Sequence, residues 1–435
     1  MTSYRIISDF YLDDDDLNHV KDLLPESYIA SKDALIDDHF LVRSLQNLLN
    51  ETLNSYLNGG FSNAGYVFYP LIKGTSKSNR ENLKSLKTIT ELLSKEGHDF
   101  SKSISMLKKG NSEGLIAEIL SSSYTEFKEA LKKIQVKTKP SMKEKCRELD
   151  LSAYNEKDFS YIRPLSEIKD YSDEKLRPYL LGFYLHGSLA TRDYIKGWSD
   201  ADTLAIVSKE STEDPHSLKE LRKNIYLLRK YFYKIDPLQH HGSIIISEHD
   251  MESYCQAYFP VPALNYAVSF FDSDKKMQFN AREYRSEALK DLFWFVSYFR
   301  KLKSMELYKL SSYDTKVLLH SITLFPSLYL QSKGILMYKK FSFEMARKDF
   351  GSEEWKIIEN ISGLRSKWKA KSFTNFAFPV SLFNPLLSHQ ISSRANDIFG
   401  TIASANRIDI KKTVEEMHSL SEKAWQNAKD NDKNK

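Results

Sequence analysis

Three short runs of apolar and aromatic residues set the tightest limit on how this chain can fold. They are Tyr179-Leu-Leu-Gly-Phe-Tyr-Leu185, Asp202-Thr-Leu-Ala-Ile-Val207 and Gly242-Ser-Ile-Ile-Ile-Ser247. Each is too short for a helix and too apolar for a surface loop, so each reads as a buried strand. Between the second and third, Leu218, Leu221, Ile225, Leu227, Leu228 and Phe232 recur at helical spacing across Ser217–Tyr233. Strand, turn, strand, helix, strand predicts a mixed α/β core. Elsewhere the period is helical. Val42 to Leu57 places leucines at three- and four-residue steps and stops at Gly59-Gly60; Ala288–Phe299, Thr315–Ser332 and Glu353–Trp368 repeat the pattern. The expected class is α+β: a mixed sheet with flanking helices (151–280) between an N-terminal helical region (1–150) and a C-terminal helical bundle (281–428), with 429–435 a disordered tail.

Composition supports folded, helix-rich domains. Hydrophobic residues make up 41% of the 435, and the 15 Gly and 12 Pro are too few for collagen-like or loop-rich β chains. Cys146 and Cys255 stand alone, which excludes a disulfide framework and a Cys-based zinc site. The first residues lack the apolar core of a signal peptide, and no run reaches the roughly 18 apolar residues of a membrane span. The expectation is a cytoplasmic protein with no membrane partner. A net charge of +5 permits phosphate-bearing ligands without demonstrating any. Asp13–Asp16, just before Leu17, suits a helix N-terminus better than a metal site. Gly74–Leu83 reads as a polar loop entering a helix, and the basic stretch Lys137–Lys145 as a linker.

Chemistry concentrates in Leu185-His-Gly187-Ser188 and Ser199-Asp200-Ala-Asp202. An apolar strand ends in Gly-Ser, and a helix is expected to follow. Gly187 would let the backbone pass close to a ligand, and the free N–H groups there would suit phosphate oxygens. Eleven residues separate Ser188 from Asp200. Period two in the following strand puts the Asp200 and Asp202 carboxylates on one face. Paired carboxylates facing phosphates make a hard-oxygen site for Mg²⁺ or Mn²⁺.

This combination resembles the signature of the DNA-polymerase-β-like nucleotidyltransferase superfamily, over Leu181 to Val207, with Ser199 ahead of the first Asp also fitting. The resemblance implies a nucleotidyltransferase-fold mixed sheet and transfer of a nucleoside monophosphate from an NTP to a hydroxyl, with release of pyrophosphate. It implies that Gly187, Ser188 and Ser199 hold the nucleotide and that Asp200 and Asp202 bind the metals. The family usually adds a third carboxylate on a neighbouring strand. Here the corresponding strand is entered by His240-His241, with Asp236 before it and Glu248 after it. Either His241 (or His240) takes the third role, or Asp236 reaches in, or the role is vacant. His186 is expected to be structural.

The C-terminal segment Leu328–Arg347 breaks at Gly334 and is expected to restart as a helix near Ser342, which can cap it. Small-molecule enzymes of the superfamily, the aminoglycoside nucleotidyltransferases among them, resemble this arrangement: a helical bundle presents a Lys to the triphosphate. Lys339 or Lys340 would fill that role. Gln331–Phe373 holds ten Lys or Arg against five Asp or Glu, a local excess equal to that of the whole chain. Arg365–Lys371 could contact a base or an RNA backbone, but Trp368 reads more simply as closing a helix against the core. The acceptor, whether small molecule, tRNA end or protein hydroxyl, is not legible. A catalytically silent nucleotide sensor is the alternative from another class; an RNA-binding protein is disfavoured by the mild charge.

Overall fold

The computed structural model describes residues 38–59, 79–109, 112–143, 146–236, 238–239, 241–271, 277–305, 310, 312–368 and 408–433. Asp13–Asp16, the start of the Gly74–Leu83 stretch, His240 and Lys369–Lys371 lie outside them.

Four helices come first: α1 (Asp38–Asn58), α2 (Asn79–Lys95), α3 (Ser101–Leu107) and α4 (Ile116–Ile134). The leucines that mark α1 in the sequence, Leu41, Leu45, Leu49 and Leu53 among them, are buried along one face. They share a continuous core with Leu185, Leu189 and Val207 of the central region. The stretch expected to be a linker is instead a strand, β1 (Thr138–Lys143), antiparallel to β7 (Met277–Arg282). Lys139 and Pro140 are exposed, so β1 has no apolar alternation to betray it. It pairs on one side only, where a proline without an N–H is tolerated.

The larger sheet has five strands in the order β2-β6-β3-β4-β5. Its members are β2 (Arg147–Glu148), β3 (Leu180–His186), β4 (Asp202–Val207), β5 (Ile244–Ser247) and β6 (Val268–Ser269). The three apolar runs are therefore β3, β4 and β5. β3 runs antiparallel to β4 and β6, while β4 and β5 are parallel. A parallel pair needs a long crossover. Helix α5 (Pro164–Lys175) precedes β3, the short α6 (Gly187–Thr191) follows it, and α7 (Pro215–Ile235) makes the β4–β5 crossover. α7 starts where Asp214 accepts hydrogen bonds from the His216 and Ser217 N–H groups, with Pro215 in the first turn.

The C-terminal region contributes α8 (Arg285–Ser304), α9 (Ser312–Ser332), α10 (Lys339–Arg347), α11 (Ser352–Ser366) and α12 (Ile410–Lys433). They surround a second core that includes Phe295, Phe325, Tyr329, Trp355 and Trp425, and that takes in Trp198 and Leu238 from the central region. Two expectations are corrected here. α10 begins at Lys339, not near Ser342. Tyr338 is the extended residue before it, and Ser342 is buried inside the first turn, donating its Oγ–H to Lys339 O at 2.6 Å. α12 runs to Lys433, so residues 429–433 continue a helix, with Lys429 lying over the Trp425 ring at 5.8 Å. Among the described residues, no helix is long and apolar enough to cross a membrane. Among the described residues the fold is α+β, mostly helical, with two small sheets.

Candidate metal centre

The site forms where β3 and β4 end side by side. Their register sets His186 opposite Asp202, and Gly187 turns the chain away immediately afterwards. Gly187 has φ +72°, and a Cβ at this position would collide with Asp202 Oδ2. Both facts demand glycine: one for the backbone, the other for the carboxylate. Ser188 donates its Oγ–H to Ser199 Oγ at 2.8 Å, and Ser199 Oγ also accepts from Ile195 N–H at 2.9 Å. Ser199 is buried, and its carbonyl accepts from the Tyr161 hydroxyl. It thus braces the loop that delivers Asp200 against Ser188 in the first turn of α6.

Asp200 lies ahead of β4, not within it, since the strand begins at Asp202. Gln239 holds the intervening residue: Ala201 N–H donates to Gln239 Oε1 at 3.1 Å, and Gln239 Nε2 donates back to Ala201 O at 3.3 Å. The two carboxylates still converge, on His241. Its Nε2 is 3.2 Å from Asp200 Oδ2 and 3.3 Å from Asp202 Oδ1, while its Nδ1 is 3.0 Å from Gly242 O. One ligand atom from each of Asp200, Asp202 and His241 lies within 4.8 Å of the others. An imidazole whose Nδ1–H is held by a backbone carbonyl and whose Nε2 faces two carboxylates is arranged as a metal ligand. Two carboxylates and one imidazole fit a divalent ion.

Electrostatics follow from this geometry. Burial would push the Asp200 pKa up, but His320, His241 and Lys316 around it hold the carboxyl well below its usual range. Burial likewise works against a charged His241, and its hydrogen bonds to both carboxylates outweigh it and raise its pKa well above the ordinary value.

Asp236 does not reach the triad. Its Oδ2 is 2.5 Å from Lys316 Nζ on α9 and its Oδ1 accepts from Leu238 N–H, with both ionic groups buried. Glu248 accepts from Lys209 N–H beyond the far end of β5. His186 packs against Phe259 with ring centroids 4.8 Å apart.

Residues of the C-terminal helices lie close to the centre. Lys339 donates to Thr323 Oγ1 at 3.1 Å. Burial and then the charge of Arg365 lower its pKa to about 8, against the pull of Asp202 and Asp200. Lys340 instead pairs with Asp193 at 2.8 Å and is more than half exposed. Trp368 is buried and meets Trp198 edge-on at 5.3 Å, closing α11 against the core as expected. The Arg365 guanidinium lies 5.8 Å from the centroid of the Trp198 ring.

His320 is a residue that sequence reasoning missed. Its Nδ1 is 3.6 Å from Asp200 Oδ2 and its ring lies 4.7 Å from Trp198. A signal did exist. Lys316, His320, Thr323 and Ser327 follow one another at steps of four, three and four along a helix otherwise rich in buried Leu, Ile and Phe. That is a polar stripe on one face. It meets Asp236, Asp200, Lys339 and Ser342 in turn. No protein-family model, curated protein or solved structure matches this chain.

Proposed function

We propose that this protein is a metal-dependent nucleotidyltransferase, with Asp200, Asp202 and His241 holding Mg²⁺ or Mn²⁺ beside the Gly187–Ser188 turn. The observation that carries the reading is the lock between Gly187 and Asp202: a residue with no side chain at a place where one would displace a metal-site carboxylate. When bound, the ion would neutralise phosphate charge and acidify the acceptor hydroxyl. The chain's own part is positional. Gly187 leaves room for the Asp202 carboxylate, Ser199 and Gln239 hold the Asp200–Asp202 segment, and Lys339 offers positive charge near the two carboxylates. An acceptor oxygen would bond to the α-phosphorus as the α–β bridging P–O bond breaks. The electron pair leaves with pyrophosphate, and the hydroxyl proton is lost to solvent. The acceptor would be a small molecule, an RNA end or a protein hydroxyl.

One observation favours a second reading. The third position holds an imidazole, and the carboxylate of Asp236 is bound to Lys316. A nucleotide sensor with the same fold and no transfer activity would look the same at this point. Incubation of the protein with each α-labelled NTP, Mg²⁺ or Mn²⁺ and pools of RNA, protein and small molecules separates the two. The expected result is label moved to one pool, and Asp200→Asn or Asp202→Asn should abolish it while thermal melts stay cooperative. Undiminished transfer by the double Asn variant overturns the enzyme reading; NTP binding without transfer to any pool selects the sensor.

A further inference from the structure

We infer that Arg365 and Lys339 together form a polyphosphate subsite facing the metal centre, with Arg365 a ligand-binding residue in its own right. This rests on the reading of Asp200, Asp202 and His241 as a divalent-metal site, and it deepens that reading by naming the charge that the ligand must carry.

Among the described residues, neither cation has a carboxylate within ion-pair distance. Lys339 is held by a neutral hydroxyl, that of Thr323, and Arg365 lies over the face of Trp198 with its Nε buried and without a hydrogen-bond partner. The other basic groups nearby are matched: Lys316 by Asp236, and Lys340 by Asp193. The two unmatched cations also sit close enough to feel each other and the carboxylates of Asp200 and Asp202. Two like charges drawn together in a partly buried place are costly unless something answers them.

A charge count then specifies the ligand. A divalent ion on Asp200 and Asp202 cancels those two carboxylates, and Lys316 cancels Asp236. Lys339 and Arg365 remain, so the loaded site has an excess of two positive charges. A neutral ligand leaves them uncompensated. Linked phosphates answer all the charges: one end on the metal, the others on the ammonium and the guanidinium. The Arg365 guanidinium lies 5.8 Å from the Trp198 ring centroid, and a guanidinium is the planar fork that can take two phosphate oxygens at once.

The test is calorimetric titration of the full chain with sodium tripolyphosphate, pyrophosphate or phosphate, each with and without Mn²⁺. Tripolyphosphate should bind tightest, and only weakly without Mn²⁺. Arg365→Gln and Lys339→Gln should each weaken it roughly ten- to hundredfold, and Arg365→Lys should recover part of the loss. Affinity for Mn²⁺ alone should stay within about twofold in all three, which also reports that the variants fold. Arg347→Gln removes an equal charge from a surface pair with Glu359 and should leave tripolyphosphate affinity unchanged. Unaltered binding by Arg365→Gln, or an equal loss in Arg347→Gln, overturns the inference while leaving the metal reading intact. Failure of wild type to bind Mn²⁺ at all overturns the metal reading as well. Mn²⁺ binding with no tripolyphosphate binding overturns the subsite and the nucleotide reading together.

Discussion

Gly187 decides the geometry of the centre at the scale of a single residue. Its positive φ and its contact with Asp202 Oδ2 are separate constraints, and alanine violates both. Gly187→Ala should cost about 1–2 kcal/mol from the left-handed backbone alone. It should also displace the Asp202 carboxylate and weaken Mn²⁺ binding roughly tenfold or more, as losses of positioning contacts around a metal do. Urea unfolding and Mn²⁺ titration read the two effects separately. Wild-type Mn²⁺ affinity in a destabilised Gly187→Ala variant would show that Asp202 does not depend on this turn. The residue types at Gly187, Ser188, Asp200 and Asp202 were legible in the sequence because their spacing along one strand–turn–strand unit is local. Arg365 and His320 were not: each reaches Asp200 or Trp198 from a helix far along the chain.

At the scale of elements, α1 does more than cover the sheet. Asn54 Nδ2 donates to Ile245 O at 2.5 Å and Asn54 Oδ1 accepts from Ile245 N–H at 2.9 Å, so one side-chain amide satisfies the open edge of β5. One and two turns earlier, Asn50 and Gln46 donate to the carboxylate of Asp250, which is fully buried in the turn after β5. Burial outweighs these donors and raises the Asp250 pKa to about 6. A folded-state pKa above the unfolded value means that the native state binds more protons between the two. The stability is therefore present below about pH 3.8 and is lost as pH rises through 6. Asp250→Asn keeps an oxygen for the Ser247 N–H and removes the titration. Relative to wild type, the variant should gain up to about 3 kcal/mol between pH 4 and pH 7, read from urea unfolding across that range. A difference that stays flat with pH would show that Asp250 ionises in the fold at no cost.

At the scale of the whole molecule, the central region is tied to the C-terminal helices by a buried ion pair, Asp236 at the end of α7 with Lys316 on α9. Removing one partner leaves a buried charge alone. Lys316→Met should cost about 3–5 kcal/mol, and adding Asp236→Asn should restore a good part of it, because the Asn oxygen can still accept from Leu238 N–H. A double-mutant cycle in urea measures the coupling; additive losses would mean that the pair does not join the two regions.

What the sequence by itself determined is whatever depends on neighbours a few positions apart. β3, β4 and β5 were readable because burial on both faces leaves continuous apolar runs. The long helices were readable from the 3.6-residue period, and the Gly-Ser and Asp-Ala-Asp elements from their fixed spacing across one turn. Tertiary structure alone decided the rest. β1 is a strand only because β7, far along the chain, offers its edge; its own Thr-Lys-Pro-Ser-Met-Lys has no hydropathy signal. α10 starts at Lys339 because Tyr338 is extended, not because Ser342 caps it. His241 meets the two aspartates, Asp236 is drawn to Lys316, and Arg365 lies over Trp198 for one reason. A side chain's partner is set by what packs against it in space, and one-dimensional order carries only the part of that packing that is local.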